Sequence, residues 1–389
     1  MPIRRPHHTS AGAWRFRAGA DRGTDDAPDS PADSLGFFGF KSLTDTRRVT
    51  VGARGLWRPK AGTALTAGYE EERQSVRGFN QSFSQYGMSS GNSESDWWNR
   101  AFHAQLSWVR DALALNVGLR AEDDERFGGA ATWRTGAAWR SVDSGTRLRV
   151  SAGTGIKEPT FFETYATGFV TGNPDLSPER STSVEAGVDQ ELGGGAKLSL
   201  TGFRQGYRDL IQYTGSPPAE GGPNFFNVAQ ARSQGLEAEA TVEASRLRLT
   251  GTYTHLDTEV QDAGFDEGPG ATFVEGSRLL GRPKHTLAAT AFYRISSRVG
   301  VDVSARRVGE REDRDFAAFP AEPVTLPAYT VLDLSASFDI AGGGGRPGLT
   351  LMVRAENLLD SAYEEVWGFA APGRGLYVGG RVVLGGSGG

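Results

Sequence analysis

Apolar and polar residues alternate one by one along much of the chain. Leu332, Leu334 and Ala336, for example, alternate with Asp333 and Ser335. Four further segments repeat the pattern: residues 146–152, 236–242, 247–254 and 349–356. Because successive side chains of a β-strand point to opposite faces, each segment predicts a strand with one apolar and one polar face.

Extended over the whole chain, the alternation predicts sixteen strands separated by turn residues. They are expected at residues 10–20, 44–58, 62–76, 97–109, 112–121, 129–140, 146–155, 180–191, 196–209, 224–242, 246–258, 280–294, 298–309, 326–340, 347–360 and 373–384.

The connectors between these strands alternate between short and long. The short ones are residues 59–61, 110–111, 141–145, 192–195, 243–245, 295–297 and 341–346. The longer ones are residues 21–43, 77–96, 122–128, 156–179, 210–223, 259–279, 310–325 and 361–372. Outer-membrane barrels have short turns at one end and longer loops at the other, whereas soluble sandwiches and propellers need no such alternation. The predicted fold class is therefore all-β, a transmembrane antiparallel up-and-down β-barrel.

Aromatic residues cluster near the ends of the predicted strands, where a membrane barrel carries its interfacial girdles. They are Trp14, Trp57, Tyr69, Trp97, Trp98, Trp108, Trp133, Trp139, Tyr253, Tyr293, Tyr329, Tyr363, Trp367 and Tyr377. Strand-rich proteins contain many aromatic residues in any case, so this feature only supports the barrel.

Composition removes several other classes. The chain has no cysteine, which excludes disulfides, thiolate metal sites and thiol nucleophiles. The formal charge of −5 provides no basic footprint for nucleic acid. Mean hydropathy is −0.40, a value normal for soluble proteins, but a barrel whose strands expose only alternate residues to lipid has the same average.

A search for catalytic and metal-binding patterns supports no enzyme, no cofactor and no metal centre. The five histidines form no HExxH motif, and Gly193 to Lys197 lacks the spacing of a phosphate-binding loop. Acidic residues cluster at 122–125, 257–267 and 310–315. Solvated loop acids explain them, and an ion site remains the alternative.

Several motifs of the second half of the chain carry a family resemblance. Residues 153–163 read GTGIKEPTFFE, residues 172–181 read GNPDLSPERS, and residues 354–363 read RAENLLDSAY. In this order they resemble the barrel of a TonB-dependent outer-membrane receptor, and the last hairpin, residues 368–377, is most similar to that of the cobalamin receptor subgroup. The motif positions are Asn173, Pro174, Leu176, Pro178, Glu179, Gly235, Glu237, Asn357, Leu358, Asp360 and Tyr363.

The resemblance implies a transporter in the cell outer membrane that takes up a large, scarce nutrient, either cobalamin or an iron–siderophore complex. Its expected partners are outer-membrane lipid, the small-molecule nutrient and, only through an amino-terminal plug domain, the TonB system. A monomer is expected.

Three family features are not seen in this sequence: a signal peptide, a TonB box and the plug domain. Sixteen strands are also fewer than the roughly 22 of plugged transporters. Residues 1–384 are therefore expected to be the carboxy-terminal part of a longer receptor barrel, followed by a Gly/Ser tail at 385–389. Two alternatives stay open: a 16-stranded passive porin, and a β-barrel with a binding or adhesion function.

Two long loops supply candidate ligand contacts. Large, rigid aromatic side chains bind bulky ligands at little entropic cost, and loops carry many binding sites. The candidates are Phe161, Phe162 and Tyr165 on loop 156–179, and Tyr363, Trp367 and Phe369 on loop 361–372. Packing of each loop against itself is the alternative role.

Overall fold

Sixteen strands form one antiparallel sheet whose spatial order follows the order of the chain. The computed structural model describes residues 11–30, 39–84, 87–168, 170–214, 217–219, 221–264, 271–318, 320–343 and 346–383. The predicted strand number and the all-β class are confirmed. The expected strand end at Leu384 and the tail at 385–389 lie outside the described residues.

The elements are numbered in chain order. The strands of the large sheet are β1 (Ala11–Ser30), β2 (Gly39–Lys60), β3 (Thr63–Ser84), β4 (Gly87–Arg110), β5 (Leu113–Asp124), β6 (Gly128–Ser141), β7 (Thr146–Lys157), β8 (Glu179–Gly193), β9 (Ala196–Tyr213), β10 (Phe225–Ala244), β11 (Leu247–Asp262), β12 (His285–Arg294), β13 (Val299–Val308), β16 (Tyr329–Gly343), β17 (Arg346–Glu356) and β20 (Gly375–Val383). The remaining elements are α1 (Phe161–Tyr165), the hairpin of β14 (Arg311–Asp315) and β15 (Glu322–Leu326), and the hairpin of β18 (Glu364–Val366) and β19 (Phe369–Ala370).

The chain divides into two compact units. Unit 1 comprises Met1–Trp139, Val150–Val184 and Gly206–Gln230, and unit 2 comprises Arg140–Arg149, Glu185–Gln205 and Ala231–Gly389.

Cross-strand register separates an apolar from a polar face in unit 2. One row runs from Leu249 on β11 through Ala291, Val303, Leu334 and Ala355 to Leu376 on β20. The neighbouring row, on the opposite face, consists of Arg248, Phe292, Asp302, Ser335, Arg354 and Tyr377. On the apolar face Leu249 and Leu334 are each 38% exposed and Leu376 is 73% exposed. This arrangement suits a sheet whose apolar face contacts lipid.

Unit 1 shows where the apolar face ends. On β5 the apolar positions run from Leu113 to Ala121, and Asp123 follows them on the same face. At about 3.4 Å per residue this stretch is roughly 27 Å long. A strand tilt of about 40° reduces its height to about 21 Å, slightly less than the apolar band of about 25 Å in a membrane barrel. Tyr69 and Phe102 pair in the last apolar row, and their rings lie 4.8 Å apart.

Two of the predictions of a long loop are wrong. Instead of a loop at 77–96, β3 and β4 continue to Ser84 and Gly87, and instead of a loop at 122–128 only residues 125–127 join β5 to β6. The extended hairpin of β3 and β4 is mostly polar, with Arg77 paired to Glu94 across it. Its one face carries only scattered apolar residues, Phe79, Phe83 and Met88. Beyond the apolar band the strand continues while its hydrophobic alternation stops, so the alternation underestimates strand length.

The predicted loop at 21–43 is also shorter, because β1 reaches Ser30 and β2 starts at Gly39. The predicted loops at 156–179, 310–325 and 361–372 contain α1 and the two small hairpins. Strand β17 ends at Glu356 rather than at residue 360, because Asn357 and Asp360 adopt φ angles of 47° and 51°, which a strand does not accommodate.

Among the described residues, no helix combines the length and the apolar character that crossing a bilayer requires.

The assignment of faces predicts the effect of a buried charge in the bilayer. Replacing Leu334 with Arg should destabilise the folded protein by about 2 to 4 kcal/mol if the site lies near the bilayer midplane. Ser335→Arg, one residue along on the polar face, is the control and should have little effect. Urea titration of the protein folded in lipid vesicles measures both, and a harmless Leu334→Arg beside a damaging Ser335→Arg would reverse the assigned faces.

Candidate functional site

The loop that follows β7 begins with one turn of helix that positions three of the aromatic candidates. Thr160 and Glu163 form a capping box: the Glu163 amide donates to Thr160 Oγ1 over 3.2 Å, and the Thr160 amide donates to Glu163 Oε2 over 2.6 Å. Reciprocal capping satisfies two helix-end amides. It thereby fixes the direction in which Phe161, Phe162 and Tyr165 leave the backbone.

These three aromatic residues have different surroundings. Phe161 stacks on Trp97 of β4 with ring centroids 6.4 Å apart, and Tyr165 packs 5.4 Å from Phe161. Phe162 meets Phe225 edge to face at 5.9 Å but keeps 48% of its surface exposed. Of the three, Phe162 presents the most free surface for a ligand, while the other two hold the loop against the sheet.

A buried arginine anchors the start of this loop. Arg126 forms ion pairs of 3.2 Å with Asp124 and with Glu158, and its side chain is only 7% exposed. Its guanidinium lies 4.0 Å from the ring centre of Trp97 and 4.3 Å from that of Phe127. Cation–π contacts and charge-assisted hydrogen bonds strengthen as water is excluded, so Arg126 ties the loop to β4 and β5.

Glu158 is held in this cluster in an unfavourable environment for a carboxylate. Asn99 donates to its Oε1 over 2.7 Å and Arg126 to its Oε2 over 3.2 Å. Burial nevertheless raises the pKa of Glu158, and the nearby carboxylates of Asp124 and Glu122 raise it further. The neutral form of Glu158 is therefore favoured more in the folded protein than in the unfolded chain.

Two glycines on the polar face of the β3–β4 hairpin make room for the loop. A Cβ atom at Gly91 would lie 2.3 Å from Thr167 Oγ1, and one at Gly78 would lie 3.4 Å from Phe161. A backbone without side chains allows this close approach. The loop after β7 thus lies directly against the hairpin.

The family-motif positions at 173–179 hold the other end of this loop. Asn173 donates to the carbonyl of Phe225 over 2.7 Å and accepts from the Asp175 amide over 3.0 Å. Glu179 accepts from the Ile211 amide at 3.0 Å. Leu176 and Pro178 are buried, whereas Pro174 is exposed. These residues fix backbone geometry.

The later motif positions also shape the backbone. At Gly235 a Cβ atom would lie 2.0 Å from the carbonyl oxygen of His255, so only glycine fits. Asn357 accepts from the Ser361 amide over 2.9 Å, and Asp360 accepts from the Arg374 amide over 2.9 Å. The Leu358 amide donates to the Leu332 carbonyl over 2.8 Å. Glu237 is exposed on β10.

The second group of aromatic candidates also divides into packed and free side chains. Tyr363 stacks on Tyr329 with ring centroids 4.1 Å apart, against a small core. Trp367 and Phe369 flank Gly368 at the turn of the β18–β19 hairpin and are 38% and 74% exposed. The two free aromatic side chains sit at the hairpin tip.

Polar contacts within unit 2 hold that hairpin in place. Glu365 Oε1 accepts from Tyr329 Oη and from Arg306 Nη2, each over 3.1 Å. These hydrogen bonds, that from Tyr329 first, hold the pKa of Glu365 below its usual range. The Trp367 amide donates to Asp313 of β14 over 3.0 Å. The hairpin is therefore a supported platform for Trp367 and Phe369.

The sequence alone does not reveal the anchoring residues. Arg126, Trp97 and Phe225 lie in polar or aromatic stretches whose role depends on which loop packs against them. Trp97, expected in an interfacial girdle, is instead buried on the polar face. In the part of the chain that the structure describes, no group of three or more His, Asp or Glu side chains is arranged to hold a metal ion.

Glu158 makes the docking of this loop pH-dependent. Because its pKa is raised in the folded state, the folded protein takes up this proton at a higher pH than the unfolded chain does. As pH falls through the raised pKa, the contribution of Glu158 to folding becomes more favourable.

We expect Glu158→Gln to remove the gain in folding stability that Glu158 contributes as the pH falls, while keeping the loop docked at neutral pH. Urea titrations of both proteins from pH 8 to pH 4 in detergent measure the difference. Glu94→Gln, at an exposed ion pair of unit 1, is the control. A pH dependence that Glu158→Gln leaves unchanged would contradict the prediction.

Comparison with solved structures shows the same fold at low sequence identity. The ferripyoverdine receptor of Pseudomonas aeruginosa superposes with a TM-score of 0.69 at 17% identity, over 94% of this chain and 54% of that one. The ferric-catecholate import receptor Fiu of Escherichia coli K12 gives 0.70 at 14% identity, over 95% and 61%. The copper transporter OprC gives 0.70 at 16% identity, over 96% and 62%. The chain thus spans between half and two thirds of these proteins.

The family model of the TonB-dependent receptor-like β-barrel matches residues 5–358. This family consists of transporters and receptors of the Gram-negative outer membrane rather than of enzymes. Since the match covers most of the chain, the protein belongs to the TonB-dependent receptor β-barrel family.

Proposed function

We propose that this chain forms the barrel portion of an outer-membrane receptor that takes up an iron–siderophore complex by TonB-dependent transport. The observation that carries the proposal is the family match over a sixteen-stranded sheet in which each of the two units exposes apolar side chains, such as Leu119 in unit 1 and Leu376 in unit 2. An apolar face of this kind is stable in lipid and aggregates in water. Outer-membrane lipid is therefore a partner in the proposal, and the protein is taken to act as a monomer.

The choice of ligand rests on the ligands of proteins with a similar fold. Similar solved structures include receptors named for ferripyoverdine and for ferric catecholates. These names favour an iron–siderophore complex as the ligand. The sequence of the last hairpin, residues 368–377, instead suggests cobalamin. Cobalamin is the second candidate ligand.

Coupling to energy requires parts beyond the barrel. In the family, an amino-terminal plug contacts TonB, and residues 1–384 are proposed to correspond to the carboxy-terminal part of the barrel. The passive porin is not favoured, because the chain matches the receptor family. A binding or adhesion barrel is not favoured for the same reason.

Transport can be tested with the full-length receptor in cells that lack other siderophore receptors. We expect saturable uptake of a radiolabelled ferric siderophore that stops when a protonophore removes the proton gradient or when TonB is deleted. Radiolabelled cobalamin in parallel distinguishes the two ligands. Uptake that continues without the gradient would instead indicate a passive porin.

The free aromatic side chains provide a test of ligand contact. We expect Trp367→Ala with Phe369→Ala to weaken ligand binding by about 2 kcal/mol or more, because an anchor aromatic loses its contact area. Phe162→Ala should have a similar but smaller effect. Binding to the purified full-length receptor is measured by fluorescence quenching.

A matched control separates binding from packing. Tyr363→Ala removes a side chain that stacks on Tyr329, so it should lower stability more than Trp367→Ala does. Phe161→Ala and Tyr165→Ala should likewise lower stability, because both side chains hold the loop after β7 against the sheet. Unchanged affinity in the Trp367/Phe369 variant with normal folding would assign these residues to the surface alone.

A further inference from the structure

Two histidines lie side by side on adjacent strands of unit 2. His255 of β11 is the direct cross-strand partner of His285, the first residue of β12, and their ring centroids are 5.1 Å apart. The neighbouring residues Leu256 and Lys284 are joined by a backbone hydrogen bond of 2.9 Å. His255 and His285 are therefore a non-hydrogen-bonded pair, the kind in which opposite side chains come closest. The sheet thus brings together two imidazoles that are distant in the chain.

The pair lies at the end of the apolar face, where the sheet meets water. On β11 His255 shares this face with Leu249 and Tyr253, and on β12 His285 shares it with Leu287. Tyr253 and Leu287 are 39% and 50% exposed, and His285 is exposed as well. Tyrosine is enriched at the membrane–water interfaces of membrane proteins. An ion in the aqueous phase can therefore reach both imidazoles.

A tyrosine hydroxyl orients one of the two rings. Tyr253 Oη and His285 Nδ1 are 2.9 Å apart, and the two rings stack with centroids 6.1 Å apart. With Nδ1–H as the donor, His285 Nε2 keeps its lone pair, which is the form that binds metal ions. Histidines that bind a metal ion almost always use their other ring nitrogen in such a hydrogen bond. Tyr253 therefore fits the role of a positioning residue for His285.

The other ring nitrogens are not taken up by protein groups. Within the described ranges, no hydrogen bond or ion pair involves either nitrogen of His255 or Nε2 of His285. Asp257, the next residue of β11 on this face, pairs instead with Arg278 over 3.1 Å. On the other side of His285, Gly309 donates its amide to the His285 carbonyl over 2.9 Å and adds no side chain. The two imidazoles are thus available to a common ligand.

The separation and the donor type both fit a transition-metal ion. Zn²⁺ binds histidine nitrogen at about 2.0 to 2.1 Å, so two imidazoles that share one tetrahedral ion have ring centroids about 5 Å apart. The centroids of His255 and His285 have this separation. Neutral imidazole suits both copper and zinc, and a given site generally binds Cu²⁺ more tightly than Zn²⁺. Two protein ligands leave the remaining positions to water.

We propose that His255 and His285 form a binding site for one divalent transition-metal ion, Cu²⁺ or Zn²⁺, that joins β11 to β12. Because the site lies on the apolar face, the bound ion connects two strands and does not lie on the polar face of the sheet. Spacing along the sequence does not reveal this pair, since the two histidines meet only across the sheet. The inference is independent of the proposed function, because it needs only the paired strands of unit 2.

Cu²⁺ binding to the full chain folded in detergent tests the site. The parent protein carries His7→Gln and His8→Gln, so that the adjacent histidines near the amino terminus do not contribute. We expect one Cu²⁺ per chain by calorimetry, with nitrogen coupling in the electron paramagnetic resonance spectrum. His255→Gln or His285→Gln should weaken the affinity about a hundredfold, because the chelate loses one of two linked ligands. Tyr253→Phe removes only the hydroxyl and should weaken it about tenfold.

An exchange of two neighbouring residues provides the matched control. His285→Thr with Thr286→His keeps the composition but moves the imidazole to the opposite face of β12, so it should weaken Cu²⁺ binding as much as His285→Gln does. His103→Gln, on the polar face of unit 1, should leave the affinity unchanged. Circular dichroism checks that each variant keeps its strands.

Two results would overturn the inference. They are a parent protein that binds no Cu²⁺ or shows no nitrogen coupling, and an exchanged protein that binds Cu²⁺ as tightly as the parent does. The second result would indicate an adventitious ion only. Neither result bears on TonB-dependent uptake, which is measured separately.

Discussion

Backbone hydrogen bonding between strands is the constraint on which this structure depends. In hydrocarbon each amide and carbonyl must find a partner within the protein, and a meander of antiparallel strands provides one for every residue of an inner strand. Once the backbone is paired in this way, the remaining requirement is that apolar side chains lie on one face of the sheet and polar side chains on the other. The alternation of Leu334 with Asp333 and Ser335 reflects this separation of side chains between the two faces. The backbone can adopt irregular loop conformations only where the strands leave the lipid.

This explains how far the sequence predicts the fold. Strand number and order follow from the alternation and the turns, and the main sheet has the sixteen strands expected. Strand ends are predicted less well, because hydrophobic alternation marks the apolar band and not the hydrogen-bonded strand. The β3–β4 hairpin, which is mostly polar and has no regular hydrophobic alternation, extends past the band to Ser84 and Gly87. The alternation therefore assigns this part of the hairpin to a loop.

The candidate site, too, is predicted from the sequence only in part. Aromatic residues on long loops can be recognised in the sequence, but their division into packed and free side chains depends on partners far away in the chain. Phe161 lies against Trp97 because Arg126 and Glu158 bring the loop there, and no local pattern encodes that contact. The family motifs are informative for a different reason: Asn173, Gly235 and Asn357 define turns and close approaches, so they identify the scaffold and do not specify the ligand.

The contact between Gly91 and Thr167 has an evolutionary consequence. External loops of membrane barrels vary under pressure from the surroundings, but a hairpin and a loop that share one close contact cannot vary independently. Any side chain larger than hydrogen at residue 91 would require a smaller residue, or a displaced backbone, at residue 167. Substitutions at the two positions are therefore expected to be inherited together, so the exposed surface of this region diversifies as one module.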